Sequence, residues 1–262
     1  AQTVNGTMGA WLLGGAIALA GAFIYGELGA RRPLAGGQYA YLREAFHPAL
    51  AFVYAWSLLL LIQTGAMAAS AMTFARYVRE LGHVPLPEGV LAAVVLGALA
   101  LINSLGVRAG AGTQNVLMVM KVVAILAVVV AGFAVGAAVH GAPVPAASGA
   151  LPTPAALPPN FGTAMVPVLF AYGGWQTAAY VGAEVKDSAR TLPRGLVLGV
   201  IVVILLYLAV NAACLRVLGP AMLAATPAPA AAVMRQAFGE AGARWLALGV
   251  AASTLGSLSQ NM

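Results

Sequence analysis

Two adjacent glycines, Gly173 and Gly174, lie in the middle of the apolar stretch FGTAMVPVLFAYGGWQTAAYVGAE (residues 161–184). Tyr172 and Trp175 flank them, Gln176 follows, and Pro167 stands one to two turns earlier. A bilayer core takes about 20 apolar residues of helix, so the stretch is long enough to cross. Each mid-helix glycine costs about 1 kcal/mol relative to alanine, and proline removes a backbone hydrogen bond. A span that only crosses lipid has no use for such a cluster at its centre. Unwound backbone within a membrane is tolerated only where it lines a cavity or is buried in protein, so a helix broken here is a candidate small-molecule site. The freed carbonyls of Phe170–Gly174 suit an ammonium, and the N-terminus of the second half-helix suits a carboxylate. An α-amino acid carries both charges. The plainer alternative is a close-packing glycine pair in an unbroken helix, with Tyr172 and Trp175 serving only to pack.

Few other residues can do chemistry. Lys121 lies about seven residues, hence roughly 10 Å, into its own apolar run. A lysine at the centre of a membrane helix costs about 2.5–3.5 kcal/mol on insertion scales, although from this depth its ammonium can also snorkel to the interface. Glu27 and Arg31 are spaced i,i+4 beside Arg32, and Glu184, Lys186, Asp187, Arg190 and Arg194 cluster after the glycine pair. These charges, with Glu27, Arg31, Glu184 and Arg190 foremost, are candidates for an inner gate. Equally they are interfacial charges that only fix topology. Gln63, Thr64, Ser70, Ser253 and Thr254 are weak cavity-lining candidates, since most such groups bond between helices or to their own backbone. His47, His83 and His140 all fall in connectors, without metal-ligand spacing or a nearby nucleophile motif. The chain has no P-loop, no HExxH and no intramembrane aspartate pair. The expectation is therefore not an enzyme, with no ATP hydrolysis, metal or cofactor.

The elements that must position these residues are membrane helices. Of 262 residues 61% are hydrophobic and only 8% charged, where a soluble domain carries about 25%. The +6 net charge is spread in short clusters between apolar runs, which suits membrane topology rather than a nucleic-acid face. The single Cys214 rules out an internal disulfide. The expectation is an all-α integral membrane domain with about seven spans, at residues 11–30, 49–74, 90–105, 114–139, 161–183, 195–218 and 241–262. The first is rich in small residues, so it belongs in the interior. Between the first two spans, residues 31–48 are too polar to cross and read as a short amphipathic interfacial helix. Residues 140–160 read as an external loop. Residues 220–239, interrupted by Pro220, Pro227 and Pro229, read as a short surface helix. Counted by side, with Lys121 and Arg216 assigned to the nearer end of their spans, the thirteen Lys and Arg residues divide eight to five, which places the connectors around Arg31 and Lys186 in the cytoplasm. Both ends read as cuts. The abundance of Ala and Gly suits a GC-rich bacterial genome, and the expected location is the bacterial inner membrane.

Three stretches resemble one family. GELGARRPLAGGQYAYLREAF (26–46) is similar to the loop after the second helix of amino acid–polyamine–organocation transporters, in their L-type-like amino acid permease branch. QNVLMVMKVVAIL (114–126) resembles the fifth helix of that branch, lysine included. FAYGGWQTAAYVGAEVKDSARTLPRGL (170–196) resembles its sixth helix and following loop. The resemblance implies a LeuT-type fold of two inverted five-helix repeats, of which this chain would hold the second to eighth helices. The family's first helix, with its own glycine-rich break, and its last four helices are absent. The implied activity is secondary active transport of an amino acid by alternating access, as antiport or proton coupling, with membrane lipid as the other partner. Carbonyls of Phe170, Ala171 and Gly173 would accept from the substrate amine, and the Phe170 ring would act as a lid. Gln176 would contact substrate or a neighbouring helix, and Lys121 would brace the broken helices or carry a proton. Apart from Glu27 at the cytoplasmic end of the first span, no acidic residue lies inside a span to pair with a cationic side chain, which argues against arginine or polyamines and for a neutral amino acid. The competing expectation is a non-transporting binding or assembly protein.

Overall fold

A computed structural model describes residues 4–32, 35–82, 84–104, 107–135, 161–226 and 228–261. The expected loop at 140–160, together with His83 and His140, lies outside the described residues. Every regular element among the described residues is a helix, and none is a strand. Its elements are α1 (Val4–Arg31), α2 (Gln38–Ala45), α3 (Pro48–Ser57), a π-helical stretch (Leu58–Gln63), α4 (Thr64–Gly82), α5 (Glu88–Ser104) and α6 (Val107–Val135). After these come α7 (Phe161–Tyr172), a 3-10 helix (Trp175–Val181), α8 (Ser188–Ala225) and α9 (Pro229–Asn261). Among the described residues four helical runs are long and apolar enough to cross a membrane: Val4–Arg31, Pro48–Arg79, Gln114–Val135 and Ser188–Ala225.

The helices group into two compact units. One holds α1, α2, α3, α7, the 3-10 helix and nearly all of α8; the other holds the π-helical stretch, α4, α5, α6 and α9.

In the first unit α1 is the organising helix. Its buried positions are all Ala or Gly, running at roughly four-residue spacing from Ala10 through Gly29, while Leu13, Ile17 and Ile24 are exposed. In lipid the useful asymmetry of a helix is small against large, because small residues let backbones approach. A Cβ added at Gly14 would lie 2.5 Å from a Val168 methyl, and one at Gly21 would lie 2.5 Å from the Trp175 indole. The rest of this core is Met165, Val168 and Tyr172 from α7 and Leu192, Leu196 and Val200 from α8. Gly14→Ala is therefore expected to destabilise the protein by about 1–3 kcal/mol through overpacking. The check is a fall of several degrees in the thermal midpoint of the detergent-solubilised protein; an unchanged midpoint would mean that α1 and α7 are not in this contact.

The second unit packs α6 against α9 and α4 against both α5 and α9. Ala71 and Ala75 meet Ala92, Leu99 and Leu258 in one core, and Val128 and Ala131 meet Met234 and Leu246 in another. The α6–α9 seam is again made by small residues: a Cβ at Gly249 would lie 2.6 Å from that of Ala124, and one at Gly256 would lie 3.3 Å from that of Leu117.

Residues 220–239 are helical in two short pieces. α8 kinks at Gly219 (φ 71) and continues to Ala225, and α9 kinks at Phe238 and Gly239 (φ 63). The amphipathic segment after α1 forms α2, an eight-residue helix. Several helices extend past the expected spans: α1 begins at Val4 rather than residue 11, and α8 at Ser188 rather than residue 195. Hydropathy marks only the part in lipid, whereas backbone hydrogen bonding continues through polar flanks.

Candidate functional site

The helix that begins at Phe161 stops at Tyr172. Gly173 and Gly174 form a turn, Gly174 takes the left-handed φ of 107°, and the chain resumes as a 3-10 helix from Trp175. Glycine alone adopts that φ at no steric cost. The i to i−4 ladder is thus interrupted where the glycine pair stands, and the unbroken-helix alternative does not hold.

Hydrogen bonds around the break are specific. Gly173 N–H donates to the Phe170 carbonyl at 3.1 Å. Tyr207, from α8, donates its hydroxyl to the Ala171 carbonyl at 3.0 Å. The Gly174 carbonyl accepts from both the N–H and the hydroxyl of Thr177. Gly174 N–H donates to Gln176 Oε1 at 3.0 Å, so Gln176 fastens the break itself rather than a neighbouring helix. Among the described residues the Gly173 carbonyl accepts no hydrogen bond. Of the three carbonyls expected to hold an amine, two already have a protein donor and one is open.

A cavity of about 290 Å³ adjoins the break, with Gly173, Tyr172, Trp175 and Gln176 on one wall and Gly14, Ala18 and Gln38 among those facing them. Tyr172 is 5% exposed; its hydroxyl donates to the Trp11 carbonyl and its ring meets those of Trp11 and Tyr207. Phe170 stands apart. It is 85% exposed and does not line this cavity. Met165, Val168 and Tyr172 define the buried stripe of α7, and Phe170 lies 200° round the helix from Val168 at 100° per residue.

The expected gate residues do not line this cavity. Glu27 and Arg31 pair at 2.5 Å within α1, both well exposed. Glu184 and Arg190 are exposed and form no ion pair with a described residue. The pair that does connect two elements at this end is Arg32–Glu44, at 2.9 Å, joining α1 to α2. Lys121 is half-buried in α6, in the other unit. It falls between Leu117 and Ala124 at i+4 and i−3, on the stripe that packs against α9, and it makes no ion pair with a described residue. Thr64 and Thr254 bond back to carbonyls of their own helices, Leu60 and Ala251.

One cluster has almost no local signal in the sequence. Gln38, the first residue of α2, donates its amide N–H to the Tyr25 hydroxyl and accepts from the hydroxyls of Tyr54 and Tyr180 at its oxygen. The Tyr54 and Tyr180 hydroxyls lie 3.3 Å apart. The Gly36 N–H adds a bond to the Tyr180 carbonyl at 3.4 Å, and a Cβ at Gly37 (φ 47) would lie 2.6 Å from the Tyr180 ring. The half-helix after the break is thereby moored to α2. The only local signal is a Gln directly after two glycines; its partners are up to 142 residues away.

Comparison with known proteins agrees with this architecture. The amino acid permease family model matches residues 2–260. The serine/threonine exchanger SteT of Bacillus subtilis is 28% identical over 254 residues, covering 95% of this chain and 56% of its own length. The b(0,+)-type amino acid transporter 1 of Oryctolagus cuniculus is 29% identical over 237 residues, covering 85% and 46%. An uncharacterized transporter of Mycobacterium tuberculosis is 30% identical over 253 residues, covering 92% and 52%. The chain thus spans about half the length of the curated relatives it matches. With its fold, its apolar helices and a family match over nearly its whole length, this chain is a multi-pass membrane protein that belongs to the amino acid permease family.

Proposed function

We propose that the complete protein carrying this chain is a secondary active transporter of amino acids that works by alternating access. Its substrate is held at the break between α7 and the 3-10 helix. The observation that carries this reading is the open Gly173 carbonyl beside the uncharged cavity that Gly173 lines. An ammonium needs such an acceptor, and the carboxylate of the same molecule meets the N–H end of the 3-10 helix. Residues lining this cavity carry no charge, which supports a neutral amino acid. The serine/threonine exchanger among the relatives supports the same class, and supports exchange as the driving force; proton coupling is the other route. In the inverted-repeat arrangement implied by the resemblance, the helices up to α6 supply four members of one repeat and those from α7 onward three of the other. The Arg31 and Lys186 connectors face the cytoplasm of a bacterial inner membrane.

Counterflow in liposomes tests this. Vesicles holding the complete protein and preloaded with unlabelled L-serine, L-threonine or L-leucine should accumulate the labelled amino acid transiently above equilibrium. Binding without counterflow would leave a non-transporting binding protein in its place. We propose for Lys121 a part in the same mechanism, bracing the broken helices or carrying a proton. Lys121→Ala is expected to slow counterflow about tenfold or more, whereas a lysine that only snorkels would leave the rate unchanged.

A further inference from the structure

A second cavity, about 650 Å³ and more than twice the size of the first, lies in the same unit. Tyr25 and Leu28 of α1, Tyr41 and Leu42 of α2, and Tyr54 of α3 wall it. Arg32 and Glu44, also among its lining residues, stand at its rim with side chains 62% and 43% exposed. Gln38 lines both cavities. The partition between them is therefore the Gln38 amide with its tyrosine hydroxyls, backed by the Tyr25 ring edge-on against Trp175 at 5.2 Å.

The two chambers differ in chemistry. The chamber at the break holds no charged side chain, whereas the larger one sets one cation and one anion side by side over aromatic and aliphatic walls. An exposed ion pair contributes little, so opening it is cheap, and a zwitterion inserted between the partners restores an opposite charge to each. Burial, with Tyr25 nearby, pushes the Tyr41 phenol above its ordinary pKa, so that wall stays neutral and able to donate.

We propose that the larger cavity is a second holding site for the same zwitterionic substrate, with Gln38 as the door between the two chambers. Arg32 takes the carboxylate, Glu44 the ammonium, and the side chain lies among Tyr25, Tyr41 and Leu42. The inference rests on the reading of the break as an amino acid site. A phosphatidylethanolamine headgroup presents a similar pair of charges, so the test separates the two sources.

The complete protein carries Leu42→Cys and Cys214→Ser, in a background otherwise free of reactive cysteine. It is placed in phosphatidylcholine–phosphatidylglycerol liposomes and reacted with a maleimide. Free L-serine, L-threonine and L-leucine are each added in turn. At four times its Kd the bound amino acid should slow alkylation about fivefold, following one plus the ligand-to-Kd ratio. Protection should persist when Gly174→Leu disables the break, and should vanish with Arg32→Gln and Glu44→Gln together. If Gly174→Leu abolishes transport and protection alike, the second site is overturned and the break reading stands. If transport survives Gly174→Leu, the break reading fails on its own, whatever protection shows. Absence of protection by all three amino acids overturns the proposal. So does protection produced only by adding phosphatidylethanolamine to the bilayer. Should Leu42→Cys fail to insert, Ala45→Cys on the same wall gives the same readout.

Discussion

Gly174→Leu is expected to abolish transport by the complete protein, lowering uptake of its labelled amino acid by about 100-fold or more, the scale of a misplaced binding geometry. The reason lies in the backbone. Gly174 sits at φ 107°, and a leucine held there costs about 1–3 kcal/mol. The cheapest relief is rotation into the right-handed helical region, which continues α7 through Gly173 and draws the open carbonyl into a helical hydrogen bond. Nothing lies within 4 Å of a Cβ built at this position, so the first added carbon meets no crowding and the backbone conformation sets the cost. The variant should therefore still insert and elute as a single species, and Gly174→Ala should shift transport the same way by less. Uptake within twofold of the parent, in a protein shown to be folded, would remove the break from the mechanism.

The second large effect is expected at Gln38. Gln38→Leu keeps the size of the side chain but removes one donor and one acceptor shared by three tyrosine hydroxyls. A buried polar group left without a partner costs about 1–3 kcal/mol. Tyr54 and Tyr180 retain each other at 3.3 Å, but Tyr25 loses its amide partner. These groups are part-buried, so we expect a loss of about 1 kcal/mol, read as a lower thermal midpoint, and at least a tenfold fall in uptake. Tyr54→Phe, which removes one hydroxyl and leaves the amide bonded to the other two, should cost markedly less. Equal losses in the two variants would show that the cluster acts through its apolar packing alone.

How much of this could be read from the chain alone follows from the range of the forces involved. The interruption at Gly173–Gly174 was legible because its cause is local: two residues without a Cβ after a proline in an apolar run. The helical class was legible because a chain with 8% charged residues has no other way to satisfy its backbone in lipid short of a closed barrel. The short helix α2 was legible as a helix too polar and too brief to cross a bilayer. What stayed hidden is tertiary. Nothing near Ala171 announces that Tyr207, 36 positions later, claims its carbonyl. The orientation of Phe170 was equally hidden, since every face of α7 is apolar and the choice of buried stripe depends on the small residues of α1. The Arg32–Glu44 pair, rather than the Glu27–Arg31 pair chosen from helical spacing, joins separate elements because Gly36 and Gly37 turn the chain back on itself.

The mooring of Tyr180 to Gly36, Gly37 and Gln38 makes the half-helix beyond the break and α2 a single lever. A tilt of that half-helix must swing the Gly36–Ala45 arm as well, because the joint has hydrogen bonds to both main chain and side chain and no spare room at Gly37. The far end of the arm carries the exposed Arg43, so a label there would report any tilt of the half-helix at the protein's surface.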